Sequence, residues 1–190
     1  KILEDDVKLN SNKQFKAYSD IYSYLDDFKC PYITTNFDGF LDTPRPTPNL
    51  PGESNATEIK QDDKTLFHHF SDLRDPTLLK SGDVAHIHGS IHDEKERELV
   101  LTINDYFKAY SRDTSKNQPK TELPEFLSEV FDKKIVLFIG YGLEEYEVLE
   151  YVVNNNKNMK DKRHYILYPF LKEESNIVHL QETYYGQLGI

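Results

Sequence analysis

The chain is poor in sulfur. Cys30 is the one cysteine and Met159 the one methionine among 190 residues. A single cysteine excludes an intrachain disulfide and a multi-cysteine zinc site. Standing just before a strand-like run, Cys30 is expected as a small core residue. Cysteine poverty suits a reducing compartment, so a cytoplasmic setting is expected. No apolar run approaches the roughly 20 residues of a membrane span. The start, KILEDDVKLN, has no apolar signal core, so no membrane association is expected. Positive charge is short as well: 23 Lys and Arg stand against 33 Asp and Glu, a net charge of −10. Such a chain repels phosphate backbones unless it hides a basic patch. Its one dense basic group, residues 157–163, is broken by Asn158, Met159 and Asp161 and reads as a solvated loop. Direct nucleic-acid binding is therefore not expected. With Lys1 first and no Met before Met159, the chain is expected to be a piece of a longer protein.

What is present suffices for one full-size domain with a sizeable core. The stretch CPYITTNFDGFL, from Cys30 to Leu41, organises the reading. Tyr32-Ile33-Thr34-Thr35 is β-branched and aromatic, the composition of a buried strand. It stops at Asn36, Asp38 and Gly39. That placement allows an Asx-type turn, or a ligand site at a strand's carboxyl end, where open α/β sheets hold their ligands.

In chain order, Phe15, Tyr18, Ile21, Tyr22, Leu25 and Phe28 share one face of a helix over residues 14–28. Pro44, Pro46, Pro48 and Pro51 forbid regular hydrogen bonding in the segment 43–63, which is expected to cover the end of the first strand. Leu66, Phe67, Phe70 and Leu73 suggest a short helix stopping near Pro76. Val84, Ala85 and Ile87 make a second strand that ends at His88-Gly89-Ser90, and Leu99-Val100-Leu101 a third. Thr102-x-x-Asp105 is a capping box opening a helix. Pro124 suits the first turn of another, carrying Phe126, Leu127, Val130 and Phe131. Ile135 to Ile139 is apolar throughout, the pattern of a strand covered on both faces. It ends in Gly140-Tyr141-Gly142, before a helix over 143–153. His164 to Tyr168 forms another strand, and a short helix and final strand complete the chain. Strands alternating with helices predict an α/β domain with a mostly parallel sheet.

Three chemistries suggest themselves. The glycine turn at 140–142 offers free N–H groups to phosphate or carboxylate oxygens, but it lacks the third glycine of a dinucleotide fingerprint. His86 and His88, two apart on a strand, share a face. With His92 and Asp93 they could be read as a metal site, but scattered histidines and one cysteine build no closed four-ligand centre, so no metal is expected. Alternatively His88, at its strand's end, is placed for acid–base work near neutral pH.

The ordered set Thr34-Thr35-Asn36-Phe37-Asp38, His88-Gly89-Ser90 and Gly140-Tyr141-Gly142 resembles the sirtuin-like NAD-consuming domains. LVLTINDYFKAY (99–110), FIGYGLEEYEVLEYV (138–152) and Tyr184-Tyr185-Gly186 are similar to the prokaryotic, non-deacylase branch found in anti-phage defence proteins. The resemblance spans residues 21–190. It implies a Rossmann-like fold with helices on both faces of the sheet, one domain over 1–190 that lacks the family's first glycine-rich βα unit. In that family the T-x-N-x-D strand end serves the nicotinamide and its ribose, the H-G-S strand end supplies the catalytic histidine, and the G-x-[SG]-L strand end contacts the cofactor. Carried over, Asn36, Asp38 and His88 become the catalytic set. Thr34, Thr35, Phe37, Gly89, Ser90, Gly140, Tyr141 and Gly142 would line the NAD site. The family's zinc cysteines are absent, and Thr35 stands where its deacylases usually have Gln.

The resemblance implies an NAD hydrolase that releases nicotinamide and ADP-ribose, or a cyclic product. It also implies assembly with further copies or a partner domain of a defence system. Two other readings compete: a non-catalytic NAD- or ADP-ribose-binding sensor or assembly module, and a protein deacylase, against which the missing cysteines argue.

Overall fold

Where β-branched and aromatic residues cluster, short strands form. The computed structural model describes residues 22, 24–25, 27–42, 64–73, 75–111, 122–142, 145–156, 164–171 and 175–190. The chain splits into two compact units, Lys1–Asp72 with Leu79–Leu101, and Leu73–Leu78 with Thr102–Ile190. The segment 43–63, residues 14–21 of the helix expected over 14–28 and the basic run 157–163 lie outside the described residues.

The first unit is built on β1 (Tyr32–Thr34), β2 (Leu66–Phe67) and β3 (Val84–His86). They form a parallel sheet in the order β1-β3-β2, with Thr34 paired to His86 and Phe67 to Ala85. As the central strand, β3 is buried along its whole length. Its entry is pinned by the buried Asp83, whose two carboxylate oxygens accept from the Thr65 and Lys80 amides, both at 2.8 Å. After the sheet, Arg97 ties two turns together. Nη1 and Nη2 donate to Asp72 at 2.7 and 2.5 Å and Nε donates to Asp93 at 2.7 Å. This bidentate geometry holds both carboxyls below the usual carboxylate range.

The second unit carries α1 (Ile103–Tyr110), α2 (Leu123–Lys133), β4 (Leu137–Ile139), α3 (Tyr146–Asn156), β5 (Tyr165–Leu167) and α4 (Ser175–Gln187). The expected capping box is formed: Thr102 Oγ1 accepts from the Asp105 amide at 3.3 Å, and Asp105 accepts from the Thr102 amide at 2.8 Å. Leu123, Phe126, Leu127, Val130 and Phe131 bury one face of α2. Phe131 stacks on Phe138 of β4 at 6.1 Å and meets the buried His164 ring edge-on at 5.5 Å. β4 and β5 pair in parallel, Phe138 against Ile166. The strands are thus parallel and interleaved with helices, an α/β, Rossmann-like arrangement.

Several local expectations are corrected. Residues 65–79 are not a helix: Leu66–Phe67 joins the sheet and two 3₁₀ turns follow, Phe70–Asp72 and Pro76–Leu78. Four apolar residues in eight positions fit either period, and sheet pairing decides. Leu99–Leu101 is not a strand, although the Val100 amide donates to the His88 carbonyl at 2.9 Å. Cys30 is exposed rather than in the core. On β4 only Phe138 is buried, while Leu137 and Ile139 on the alternate face stay exposed. Helix α4 runs to Gln187, and the chain then turns, so no final strand forms among the described residues.

Leu127 is 1% exposed. Leu127→Ala is therefore expected to lower the unfolding free energy by about 2–5 kcal/mol, while Thr102→Ala, which removes only a cap, should cost about 1 kcal/mol. Urea denaturation of each variant measures both, and equal losses would contradict this division.

Candidate functional site

Parallel pairing puts the carboxyl ends of β1, β3 and β2 on one edge of the first sheet. Three segments leave from that edge: Thr35 to Asp42 after β1, Ile87 to Ser90 after β3, and His68 directly after β2. Because Thr34 pairs with His86, Asn36 and His88 each stand two residues past paired strand ends. Main-chain bonds knit the two segments: Ile87 N to Thr34 O at 3.0 Å and Ile91 N to Phe37 O at 2.9 Å.

The segment after β1 folds as a series of local turns. Thr34 Oγ1 accepts from the Asn36 amide at 3.0 Å, and Asp38 Oδ1 accepts from the Phe40 amide at 3.0 Å. Asp38 therefore closes an Asx turn, one of the roles its position allows. Asn36 is exposed, and its main-chain oxygen faces His86 Nδ1 at 3.0 Å. Thr34 is buried, and Thr35 and Phe37 are half-buried. After β3, Gly89 takes φ +92°, and an added Cβ would stand 2.9 Å from the Leu99 side chain, so the turn there requires glycine. Ser90 Oγ accepts from the His92 amide at 3.2 Å.

The two histidines of His86-Ile87-His88 differ in surroundings. His88 is 2% exposed, and burial lowers its pKa from 6.5 to about 4. His86 is fully buried and lies 2.8 Å from Asp42 Oδ1 through Nε2. Burial alone would lower its pKa, but the hydrogen bond and charge of Asp42, with the Asn36 carbonyl and Asp38, outweigh burial and raise it. Burial would likewise raise Asp42, yet His86, His68 and Lys64 hold it below the usual carboxylate value. The other Asp42 oxygen stands 3.5 Å from His68 Nε2, and the His68 ring meets His86 edge-on at 5.8 Å.

Asp42 and His68 were not singled out by sequence reasoning. Asp42 lies 44 positions from His86, a separation no local spacing reports. His68 was hidden by the helix expected across it. A lone signal existed for Asp42, the next carboxylate after Asp38 in Asn-x-Asp-x-x-x-Asp.

The remaining residues belong to the second unit. Gly140 follows β4 directly with φ +64°. Tyr141 is half-buried, its hydroxyl donating to Glu145 at 3.0 Å, and Gly142 is exposed. Between α1 and α3 lies a cleft of about 650 Å³ lined by Tyr106, Phe107, Tyr110, Tyr146, Glu147 and Tyr151. Among the described residues no group of three or more His, Cys, Asp or Glu side chains could hold a metal ion. No helix there is long and apolar enough to cross a membrane.

A family model described as a SIR2-like domain matches residues 31–186. The chain belongs to the SIR2-like family. No curated protein and no solved structure matches it. Membership ties this SIR2-like chain to NAD, as substrate or ligand, and to NAD-dependent enzymes broadly. The matched span covers both strand ends of the first unit and the glycine turn of the second.

Because burial favours the neutral ring, the His88 contribution to stability is complete above pH 6.5 and is lost as pH falls toward 4. Histidine NMR on the full chain is expected to place its midpoint near 4. A midpoint at or above 6.5 would contradict this burial.

Proposed function

We propose that this SIR2-like chain is an NAD hydrolase. It cleaves the nicotinamide–ribose bond and yields nicotinamide with ADP-ribose, or with a cyclic product. The observation that carries the reading is His88. It is a buried imidazole, neutral at neutral pH, just past the carboxyl end of the central strand and beside the segment that bears Asn36. A neutral ring can accept a proton, and the amide of Asn36 can orient a hydroxyl without competing for it. The donor set fits NAD, since an exposed amide, a neutral base and strand-end backbone suit a carboxamide and ribose hydroxyls.

NAD supplies a glycosidic bond whose cleavage has oxocarbenium character. Asn36 orients the ribose or the attacking water. His88 takes the proton of a ribose hydroxyl or of that water. Asp38 keeps the Asn36 turn in shape through its bond to Phe40, and Thr34, Thr35, Phe37, Gly89 and Ser90 line the site. For Gly140, Tyr141 and Gly142 of the second unit, a role toward the ribose-phosphate part through backbone amides rests on the sequence resemblance alone; amides in that role would accommodate a net charge of −10. The sequence likeness to defence proteins supports a role as the NAD-consuming effector of an anti-phage protein, acting with further copies or a partner domain.

Nicotinamide release from NAD by the full-length protein is the test. His88→Ala and Asn36→Ala should each lower it by about 10²–10⁴-fold while circular dichroism stays unchanged. Asp38→Ala should fall between these and the wild type. Near-normal release by folded His88→Ala would remove the histidine from the chemistry.

A further inference from the structure

Both nitrogens of the His86 ring face acceptors. Nδ1 lies 3.0 Å from the main-chain oxygen of Asn36, and Nε2 lies 2.8 Å from Asp42 Oδ1. A carbonyl oxygen cannot donate, and neither can an ionised carboxylate. For both contacts to be hydrogen bonds, each ring nitrogen must carry a hydrogen. A neutral ring would leave one nitrogen lone pair against an acceptor. The His86 side chain is 0% exposed, so water cannot relieve that mismatch, and an unmade bond is most costly in such a place.

We propose that His86 is a cationic positioning residue, held by Asp42, whose imidazolium grips the Asn36 main chain and sets the strand-end site only while it is charged. The consequence for catalysis rests on the NAD-cleavage reading; the charge state does not.

The surroundings agree. Asp42 and Asp38, both after β1, favour the cation. From after β2, the His68 ring meets His86 edge-on at 5.8 Å. Before β2, Lys64 donates to the Leu41 carbonyl and adds its charge near Asp42. His92 approaches through the space left by Gly39, where a Cβ would lie 2.6 Å from the His92 ring and 3.2 Å from Asp42 Oδ2. Lys64 and His68, besides His86 itself, favour the ionised Asp42 carboxylate, which then can only accept from the ring. Since the His86 pKa is raised, its contribution is complete below pH 6.5 and is lost as pH rises through the raised value. His88 behaves oppositely, failing toward pH 4. The site is therefore set between two histidine titrations of opposite sense.

The wild-type full chain tests this by ¹⁵N-histidine and backbone NMR across about pH 5–9, a span chosen around the ordinary histidine range. The expected result is two ring N–H groups on His86 at the acid end and a midpoint above 6.5. The Asn36 and Phe37 resonances should move with that same midpoint. Asp42→Asn should lower the midpoint, and the alkaline limb of nicotinamide release should move down by the same amount. Each unit lost would cut release about tenfold at a fixed alkaline pH. Asp42→Glu should recover part of both. A single ring N–H on His86 at the acid end overturns the proposal, as does an Asn36 segment indifferent to the titration or an unmoved alkaline limb. If the wild type releases no nicotinamide, the hydrolase reading falls, and the ring and main-chain readouts still decide the state and grip of His86.

Discussion

Among the described residues, the first unit is organised around the burial of one continuous run. From Asp83 to Ser90 every residue is buried, yet four of the eight carry polar side chains. Each must find its partner inside the protein, since unpaired polar groups are costly there. Asp83 fastens the amides that precede β2 and β3. His86 holds Asp42 and the Asn36 carbonyl, and Ser90 closes its own turn on His92. These attachments draw the segment after β1 onto the end of β3. The site is a by-product of satisfying a buried strand.

Two residues of separation put the histidines of this run into opposite electrostatic conditions. His86 meets a carboxylate, which outweighs burial; at His88 burial prevails and holds the ring neutral. One imidazole is suited to hold and the other to accept a proton. On the proposed reading, His86 to Ser90 would provide both a fixed support and a base.

Much of this was legible before any coordinates. The β-branched run at Tyr32–Thr34, the apolar starts of β3 and β4, the Thr102 capping box and the spacing within α2 are local signals, and each produced the expected element. The strand-end motifs were legible because Asn, Asp, His and Gly interrupt apolar runs at once. Leu66–Phe67 was not, because a two-residue strand is decided by its pairing with Val84 and Ala85 rather than by its own pattern. That error concealed His68. Asp42 escaped for a related reason: its partner lies on another strand, and side-chain pairing across 44 positions is a product of topology. Cys30 was misplaced because adjacency to a strand says little about which side chains the sheet covers.

The central claim is that the edge formed by the ends of β1 and β3 receives NAD. Chemical-shift mapping on the isotope-labelled full chain tests it most directly, with NAD added to saturation. The account predicts that the largest changes fall on Asn36, Phe37 and His88 to Ser90. Changes confined to the tyrosine-lined cleft between α1 and α3, with the first unit unmoved, would contradict it.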